Sequence, residues 1–458
     1  MTSIKTLLGS ANSALMAQKS HMHLIGKNVS NANTPGYSRQ RAELTPAFGG
    51  FGVTQGQITS ARAELLQRSI LGVEHSLGFQ QGRAEVLDLA ELGLNDLDGD
   101  GVSSAMDEFF MAVSQLSGNP AGLVERSSML SASKSLAQSI RRAAGALDEA
   151  RSAAEADARL VVDQINTHTA EIALLNDQIH ELEGVKQPVG ELVDRRDALL
   201  KQLANNVDIR VVSKDNGMVS VFLEGSGDAL IEGPIVGKLE VTGGGPVAID
   251  MTIRKPSGTV ISISNPTGGR LGGLLSARDT TLQTASDQLD LMAFTLIDEV
   301  NNAHQAGFDL AGNPGTAFFT PVGGVAGAAR AIALSATVDG QPENIAASSD
   351  PAMVPGDDGA ITAILALQDG SIVPGGKTLH EGYEAAVFTV SSALSDAKFR
   401  VKAETGRAAD LAQARASVAG VSLHEEMASL SQAERAFQAS ARVVQTADQL
   451  YETLLQMV

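Results

Sequence analysis

The sequence LHEEMASLSQAERAFQASARVVQTADQLYETLLQMV, which runs from Leu423 to Val458, decides the architecture of this chain. Its apolar and small residues alternate spacings of three and four, which is the pattern of one narrow apolar face on a helix. At about 1.5 Å per residue the predicted helix is about 50 Å long. A face this narrow requires a partner helix. This C-terminal seam consists of Leu430, Ala433, Phe437, Ser440, Val444, Ala447, Tyr451, Leu454 and Val458.

The amino-terminal end carries a matching pattern between about Thr2 and Ser30. The alternating spacings again predict a coiled-coil partner face. This N-terminal seam consists of Leu8, Ala11, Leu15, Gln18, Met22, Ile25 and Val29. We therefore expect the two terminal helices to pair with each other, or with the same ends of neighbouring subunits. The turn-rich block NVSNANTPGYSRQ at 28–40 ends the first helix.

Between the two ends, the sequence predicts a helical body interrupted by one β unit. Helical periodicity covers about 60–203, including one very long helix or two in series, and returns at about 272–304 and 382–415. Residues 208–265 instead form short alternating runs between turn signals such as DNG and TGGG, which predicts antiparallel strands. The segment 307–360 is rich in Gly, Pro, Asp and Ala and is expected to be mostly irregular.

The expected fold is mainly α with an inserted small β domain, built as an elongated helical bundle with long, paired N- and C-terminal helices. Pairing of the termini makes the β unit an insertion at the far end of a rod. The chain then divides into a terminal coiled-coil domain at 1–35 and 420–458, a helical-bundle domain at 36–205 and 270–419, and a β domain at 206–269.

Composition argues against several classes of function. The 34 basic and 53 acidic residues give a net charge of −19, which disfavours binding to nucleic acid or to an anionic membrane surface. The chain has no cysteine, which removes disulfides, thiol catalysis and Cys-based metal sites. It has no apolar stretch of about 20 residues, and its first residues lack the continuous apolar region of a cleavable signal. We expect a cytoplasmic protein, or one exported without a cleavable signal.

The sequence predicts neither an enzyme nor a cofactor. The eight His are scattered, and His21 and His23, two residues apart on a helix, lie on different faces. P-loop, nucleophile-elbow and His-Glu-x-x-His motifs are all missing from the sequence. Asp194 and Asp197, in the sequence DRRD, are expected to belong to a surface ion-pair run that contributes a few tenths of a kcal/mol per pair.

One weak calcium-site candidate lies in the sequence DLDGDG. Asp96, Asp98 and Asp100 occupy the first, third and fifth positions of an EF-hand-like loop, and Gly101 occupies the sixth. The twelfth position holds Asp107 where Glu would supply both oxygens. Asp-Gly repeats also form tight turns and helix starts. A plain turn is therefore the favoured interpretation, and a calcium site is the alternative.

Both ends of the chain carry longer motifs. They are ALxAQ (14–18), IGxNVSNxNTxGYxRQ (25–40), GVxLxEE (420–426) and QxxxxFQAxAxVxQTA (432–447). The first two resemble the amino-terminal signature of flagellar axial proteins, the family of rod, hook and hook-associated proteins. The last two resemble the matching carboxyl-terminal signature. Each signature lies at the end of the chain where the family carries it. The chain as a whole therefore resembles this family.

Internal motifs narrow the resemblance to one branch of the family. They are INxxxxxIxxLNxQI (165–179), LxDxRDxL (192–199), GGxLGGLLxxR (268–278), NxxHxxGFDxxG (301–312) and the pair Phe318-Phe319. They resemble the hook-associated branch that provides the first of two hook–filament junction proteins. The resemblance covers most of the chain outside roughly residues 225–265 and 320–400. Many members carry a further outer β domain after the Phe-Phe pair, and we expect that domain to be missing here.

The resemblance implies a structural role at the hook–filament junction of a bacterial flagellum. The partners it implies are the hook protein, the second junction protein, and further copies of the chain in a ring of about eleven subunits. It also implies type III export without a cleavable signal and an export chaperone on the C-terminal helix. In this family the terminal helices are disordered before assembly and form an inner coiled-coil tube afterwards.

Two alternatives remain open from the sequence. A hook or distal rod subunit has the same ends, but it predicts β-rich middle domains and little helix between 120 and 200. An adhesion module would use the β unit to contact a surface, although nothing in 208–265 indicates a specific ligand.

Overall fold

The computed structural model of the protein describes residues 2–46, 53–60, 64–94, 101–185, 187–244, 249–263 and 266–456. The calcium-site candidates Asp96, Asp98 and Asp100 lie outside the described residues. The helices are α1 (Thr2–Ser30), α2 (Glu64–Leu94), α3 (Val102–Gly118), α4 (Leu123–Gly184), α5 (Gly190–Asn206), α6 (Gly269–Ser276), α7 (Leu282–Gln305), α8 (Ala328–Ala331), α9 (Gly359–Leu365), α10 (Leu379–Ala419) and α11 (Leu423–Gln456). A π-helical turn, Ala277–Thr281, joins α6 to α7.

The strands form small antiparallel sheets. The first sheet pairs β1 (Gln40–Pro46) with β2 (Val53–Ser60) directly after α1. The second has the order β3 (Ile209–Ser213), β4 (Val219–Leu223), β5 (Ala229–Glu232) and β6 (Ile235–Val236). The third has the order β7 (Lys238–Gly243), β8 (Ile249–Arg254) and β9 (Val260–Ile263). The mainly α fold with a small inserted β region is thus confirmed.

One continuous core runs through the helical body and into the β unit. The long central region is a single helix of 62 residues, α4, rather than two in series. This observation contradicts the hook or rod alternative, which predicted little helix there. α2 and α6 approach closely because a glycine on each helix faces the backbone of the other: a Cβ on Gly273 would overlap the backbone oxygen of Phe79, and one on Gly82 would overlap the backbone oxygen of Arg270.

The β unit is held on α4 by the side-chain amides of two asparagines. Asn166 donates to the oxygen of Leu239 and accepts from its N–H, both at 2.8 Å. Asn176, which is fully buried, donates to the oxygens of Val219 and Gly233 and accepts from the N–H of Val219 at 3.1 Å. Each side-chain amide bonds both the backbone N–H and the backbone carbonyl oxygen of one strand residue. The two amides therefore fix the positions of β7 and β4 on α4.

The segment 307–360 is irregular in backbone but closely packed. Phe318 and Phe319 are fully buried, and the amide of Asn301 bonds both the N–H and the oxygen of Phe319. Asp290 accepts hydrogen bonds from the backbone N–H groups of Gly327 and Ala329 at 2.7 and 3.0 Å. Side chains of α7 therefore satisfy backbone groups that a helix or a sheet would otherwise satisfy.

Candidate assembly site at the chain termini

The structure brings the two terminal seams together, because α1 packs along α11. Ala11, Ile25, Ala433 and Ala447 are buried there. The half-buried seam residues are Leu8, Leu15, Met22, Val29, Leu430, Phe437 and Val444. Tyr451 is half exposed, and Leu454 lies on α11 with its side chain outside the described part of the structure.

Pairing of two helices leaves much apolar surface on the terminal helices uncovered. The large apolar side chains that stay exposed on α1 and α11 are Leu7, Met16, Leu423, Met427, Val443, Leu450 and Tyr451. Met16 is 63% exposed and Met427 is 57% exposed. Exposed apolar residues at this density on a thin helix pair are typical of a surface that further protein covers.

A network of hydrogen bonds, here called the terminal knot, closes the base of the helix pair around Asn28. This side chain is only 2% exposed. Its oxygen accepts from the N–H of Gln40 at 3.1 Å and from the hydroxyl of Tyr37 at 2.8 Å. Its amide nitrogen donates to the oxygen of Gln40 at 2.9 Å and to Glu426 at 3.1 Å. All four contacts of the amide are therefore made, which fixes the chain reversal after α1.

Arg39 connects the terminal knot to the carboxyl-terminal part of the chain through an ion pair and a backbone hydrogen bond. Its Nη1 lies 2.6 Å from Glu425 and its Nη2 lies 2.6 Å from Glu426. Its backbone N–H donates to the oxygen of Ala419 at 2.8 Å. Because Glu426 is buried and paired, loss of the arginine would leave an uncompensated charge between the two helices.

The terminal knot also contacts the helical body. Asp194 of α5 accepts from the N–H of Ser38 at 2.9 Å, and Arg415 of α10 donates to the oxygen of Gly36 at 2.8 Å. Lys27 pairs with Glu191 at 2.9 Å. Both ends of the chain are thus fastened to the body beside a cleft of about 1070 Å³ that lies between the turn after α1, α2, α5 and α10.

Tyr37 keeps its proton in this environment. Burial, together with the carboxylates of Asp194, Glu191 and Glu426, raises the pKa of its phenol to about 12. A neutral hydroxyl remains a hydrogen-bond donor to Asn28, so the terminal knot is complete over the physiological pH range.

The prediction that the DRRD run lies on the surface is wrong for two of its residues. Asp194 is 9% exposed and Arg196 is 6% exposed. Arg196 donates to the side-chain oxygen of Asn176 at 3.0 Å and to the backbone oxygen of Gly217 at 2.7 Å. Helical spacing alone did not signal this burial, but the motif LxDxRDxL marked both residues.

The described residues contain no group of three or more His, Asp or Glu side chains that could hold a metal ion. In the part of the chain that the structure describes, no helix is long and apolar enough to cross a membrane. The chemistry of the terminal site is that of protein–protein contact: apolar helix faces above a buried network of hydrogen bonds and charges.

Comparison with known protein families gives three matches along the chain. The family described as "Flagellar hook-associated protein FlgK helical domain" matches residues 89–319, just over half of the chain. "Flagella basal body rod protein" matches residues 8–37, and "Flagellar basal body rod FlgEFG protein C-terminal" matches residues 412–457. The two terminal matches cover most of both seams.

Individual relatives are similar over nearly the whole chain. Flagellar hook-associated protein 1 of Bacillus subtilis strain 168 is 26% identical over 509 positions, which cover 99% of this chain and 98% of the relative. The protein of the same name from Salmonella typhimurium strain LT2 is 23% identical over 552 positions, with 99% and 100% covered. The solved flagellar hook junction protein FlgK of Burkholderia pseudomallei has a similar fold, with a TM-score of 0.67 and 18% identity over 77% of this chain and 100% of that one.

Proposed function

Because the chain belongs to the family of the flagellar hook-associated protein FlgK, a family of structural components of the bacterial flagellum, we propose that it joins the hook to the filament. The observation that carries this proposal is the paired terminal helices, which leave apolar side chains uncovered above the terminal knot. A subunit of an axial structure needs such a surface on the part that lies inside the assembly. Catalysis has no part in this proposal.

The proposed partners are those that the family resemblance implies, and the uncovered surface of the terminal helices is compatible with them. The uncovered apolar residues of α1 and α11 fit the equivalent helices of further copies of this chain, arranged as a ring of about eleven subunits. The hook protein lies on one side of this ring and the second junction protein on the other. Before assembly an export chaperone covers the C-terminal seam, because an exposed apolar helix face is an aggregation risk.

We further propose that this chain works without an outer β domain between the Phe318-Phe319 pair and α10. The interval there holds only short helices and irregular backbone. The match to the Salmonella relative extends over 552 positions, whereas the chain has 458 residues, which is consistent with extra segments in the relative. The junction contacts would then be made by the terminal helices and the helical body.

The first test locates the wild-type protein by immunogold labelling of cells that build hooks but lack filament. Label concentrated at the hook tips is the expected result. Label along the rod, along the hook or away from the flagellum would show that the proposed junction role is wrong.

The second test compares seam variants with matched neighbours. Phe437→Asp and Val444→Asp place carboxylates on half-buried positions that face α1, where an unpaired charge costs several kcal/mol when desolvated. Gln438→Asp and Gln445→Asp place the same group on exposed positions one residue away. We expect the seam variants to be lost from hook tips and to abolish motility, and the control variants to keep both. Equal behaviour of the two pairs would contradict assembly through the seams.

A further inference from the structure

The turn between β3 and β4 contains the pair Asn216-Gly217, which is the single Asn-Gly pair in the sequence. Asn216 is exposed there, and the strand ladder closes behind the turn with Ser213 opposite Val219. Gly217 has a φ of +77°, a conformation that glycine adopts without strain. Because glycine has no side chain, the backbone nitrogen of Gly217 is unshielded, and the asparagine carboxamide stands next to it in the chain.

The carboxamide of Asn216 is polarised by a neighbouring backbone group. Its Oδ1 accepts a hydrogen bond from the N–H of Met218 at 3.3 Å. A donor at this oxygen stabilises the negative charge that develops on it when a nucleophile adds to Cγ. The backbone nitrogen of Gly217 is the nucleophile that reaches Cγ by closing a small ring.

The peptide group between Asn216 and Gly217 is activated by His180 of α4. Nδ1 of His180 lies 3.2 Å from the backbone oxygen of Asn216. A carbonyl oxygen can only accept, so Nδ1 carries the proton and donates it. This bond favours loss of the proton from the Gly217 nitrogen, because the resulting anion carries much of its charge on that oxygen. The opposing contact, from the N–H of Gly217 to the oxygen of Lys214, has a length of 3.2 Å, at the long end of the usual range.

We propose that Asn216 is a site of spontaneous deamidation, activated by the hydrogen bonds from His180 and Met218. In the first step the nitrogen of Gly217 bonds to Cγ of Asn216, the proton of that nitrogen passes through solvent to the departing Nδ2, and ammonia leaves. In the second step water adds to either carbonyl of the cyclic imide and opens it. Opening at the bond to Cγ gives aspartate. Opening at the bond to the backbone carbonyl carbon gives isoaspartate, whose main chain runs through Cγ. Each conversion consumes water and releases ammonia, with no oxidation or reduction.

The proposal includes a structural consequence, because the turn helps to hold the β unit on α4. The backbone oxygen of Gly217 accepts from the buried Arg196 at 2.7 Å, and Arg196 also donates to Asn176. Isoaspartate lengthens the main chain directly before Gly217 and so moves this oxygen away from Arg196. The new carboxylate also adds negative charge to a turn against which Glu183 lies, since a Cβ on Gly217 would overlap the Glu183 carboxylate. Deamidation therefore loosens β4 on α4.

The first test ages the purified full chain at neutral pH and follows each asparagine by peptide mass spectrometry. Water enriched in heavy oxygen labels every new carboxylate, since the second step takes its oxygen from water. We expect Asn216 to convert faster than any other asparagine of the folded chain, with isoaspartate among the products. Asn216→Gln should abolish isoaspartate at this turn, and Asn302→Gln, at an exposed position of α7, should leave it unchanged. Faster conversion of another asparagine, or an intact Asn216 under conditions that convert the free peptide KDNGM (214–218), would overturn the proposal.

The second test measures the contribution of His180. His180→Ala should slow the conversion of Asn216 about fivefold, which is the effect expected from loss of one hydrogen bond. Gln178→Ala, at another exposed position of α4, is the matched control and should not change the rate. Both variants should keep the wild-type melting temperature. Equal rates in His180→Ala and the wild type would contradict the proposed activation.

The third test compares intact and aged chains after separation by ion exchange. Hydrogen exchange should be faster in β4 of the isoaspartate form and unchanged in α10. Asn216→Asp introduces the charge without the longer main chain, so its effect should be smaller. Equal exchange of β4 in the intact and isoaspartate forms would overturn the proposed loosening through Arg196.

These outcomes are separable from those of the proposed function, because the reaction does not require association between chains. Wild-type protein absent from hook tips would contradict the junction role and would leave the chemistry of Asn216 unaffected. Wild-type protein present at hook tips, together with an Asn216 that does not convert, would contradict only the deamidation site.

Discussion

Acid should weaken the helical body through one buried histidine, His304. Its ring is fully buried and lies edge-on to Phe318, with 5.3 Å between ring centroids. Nδ1 lies 2.6 Å from the oxygen of Thr316, and Nε2 lies 2.9 Å from the N–H of Ala346. The N–H of Ala346 can only donate, so Nε2 is the acceptor and Nδ1 carries the proton. A second proton would break the bond to Ala346.

Burial, aided by the nearby Arg126 cation and opposed by the hydrogen bond to Thr316, lowers the pKa of His304 to about 4. The ordinary value for an unfolded chain is about 6.5. Between these two values the unfolded chain binds a proton that the folded chain does not bind. The free energy of unfolding therefore falls as pH falls through this window, by about 1.4 kcal/mol per pH unit and about 3 kcal/mol in total.

The measurement is guanidinium unfolding, followed by helical circular dichroism, at several pH values between 7.5 and 4. His304→Gln lowers stability at neutral pH but removes the titrating group, so we expect its disadvantage against the wild type to shrink by about 3 kcal/mol as pH falls. His424→Gln, at an exposed position, is the control and should leave the pH profile unchanged. A wild-type advantage over His304→Gln that stays constant across this pH range would refute the reasoning.

Three further predictions concern contacts between distant parts of the chain. Arg39→Ala should loosen the docking of α11 by about 3–5 kcal/mol, because Glu426 is buried and loses its paired cation; hydrogen exchange of α11 amides measures this, and Arg39→Lys should restore part of the protection. Gly273→Ala should destabilise the body by about 1–3 kcal/mol, because a Cβ there overlaps α2, whereas Gly72→Ala, with nothing within 4 Å, should stabilise it by about 0.4–1 kcal/mol; equal melting temperatures would contradict close packing of α2 on α6. Asn176→Ala should cost about 1–3 kcal/mol by leaving backbone groups of the β unit unpaired, with faster hydrogen exchange in β4 and little change in α10.

The sequence by itself predicted the long helices, the strands of the β unit and the spacing of the two seams. Apolar residues at spacings of three and four decide which face of a helix is buried, and alternation with turn residues decides where strands lie. Both signals are local. They therefore predicted α1, α11 and the position of the β unit, and the motifs at the two ends identified the family. The depth of burial along each seam was not determined, because it depends on what packs against the pair.

Tertiary structure alone decided which polar residues became internal. Asn28, Asp194 and His304 stand at polar positions of helices or turns, where local pattern favours solvent. Asp194 and His304 are buried because an irregular segment distant in sequence brings a backbone N–H to each of them. Asn28 is buried because the chain reverses after α1 and brings the backbone of Gln40 back to it. Backbone groups without a helix or sheet partner must find one when they leave water. Which side chain supplies the partner depends on how the chain returns to that place in space, and no short stretch of sequence contains that information.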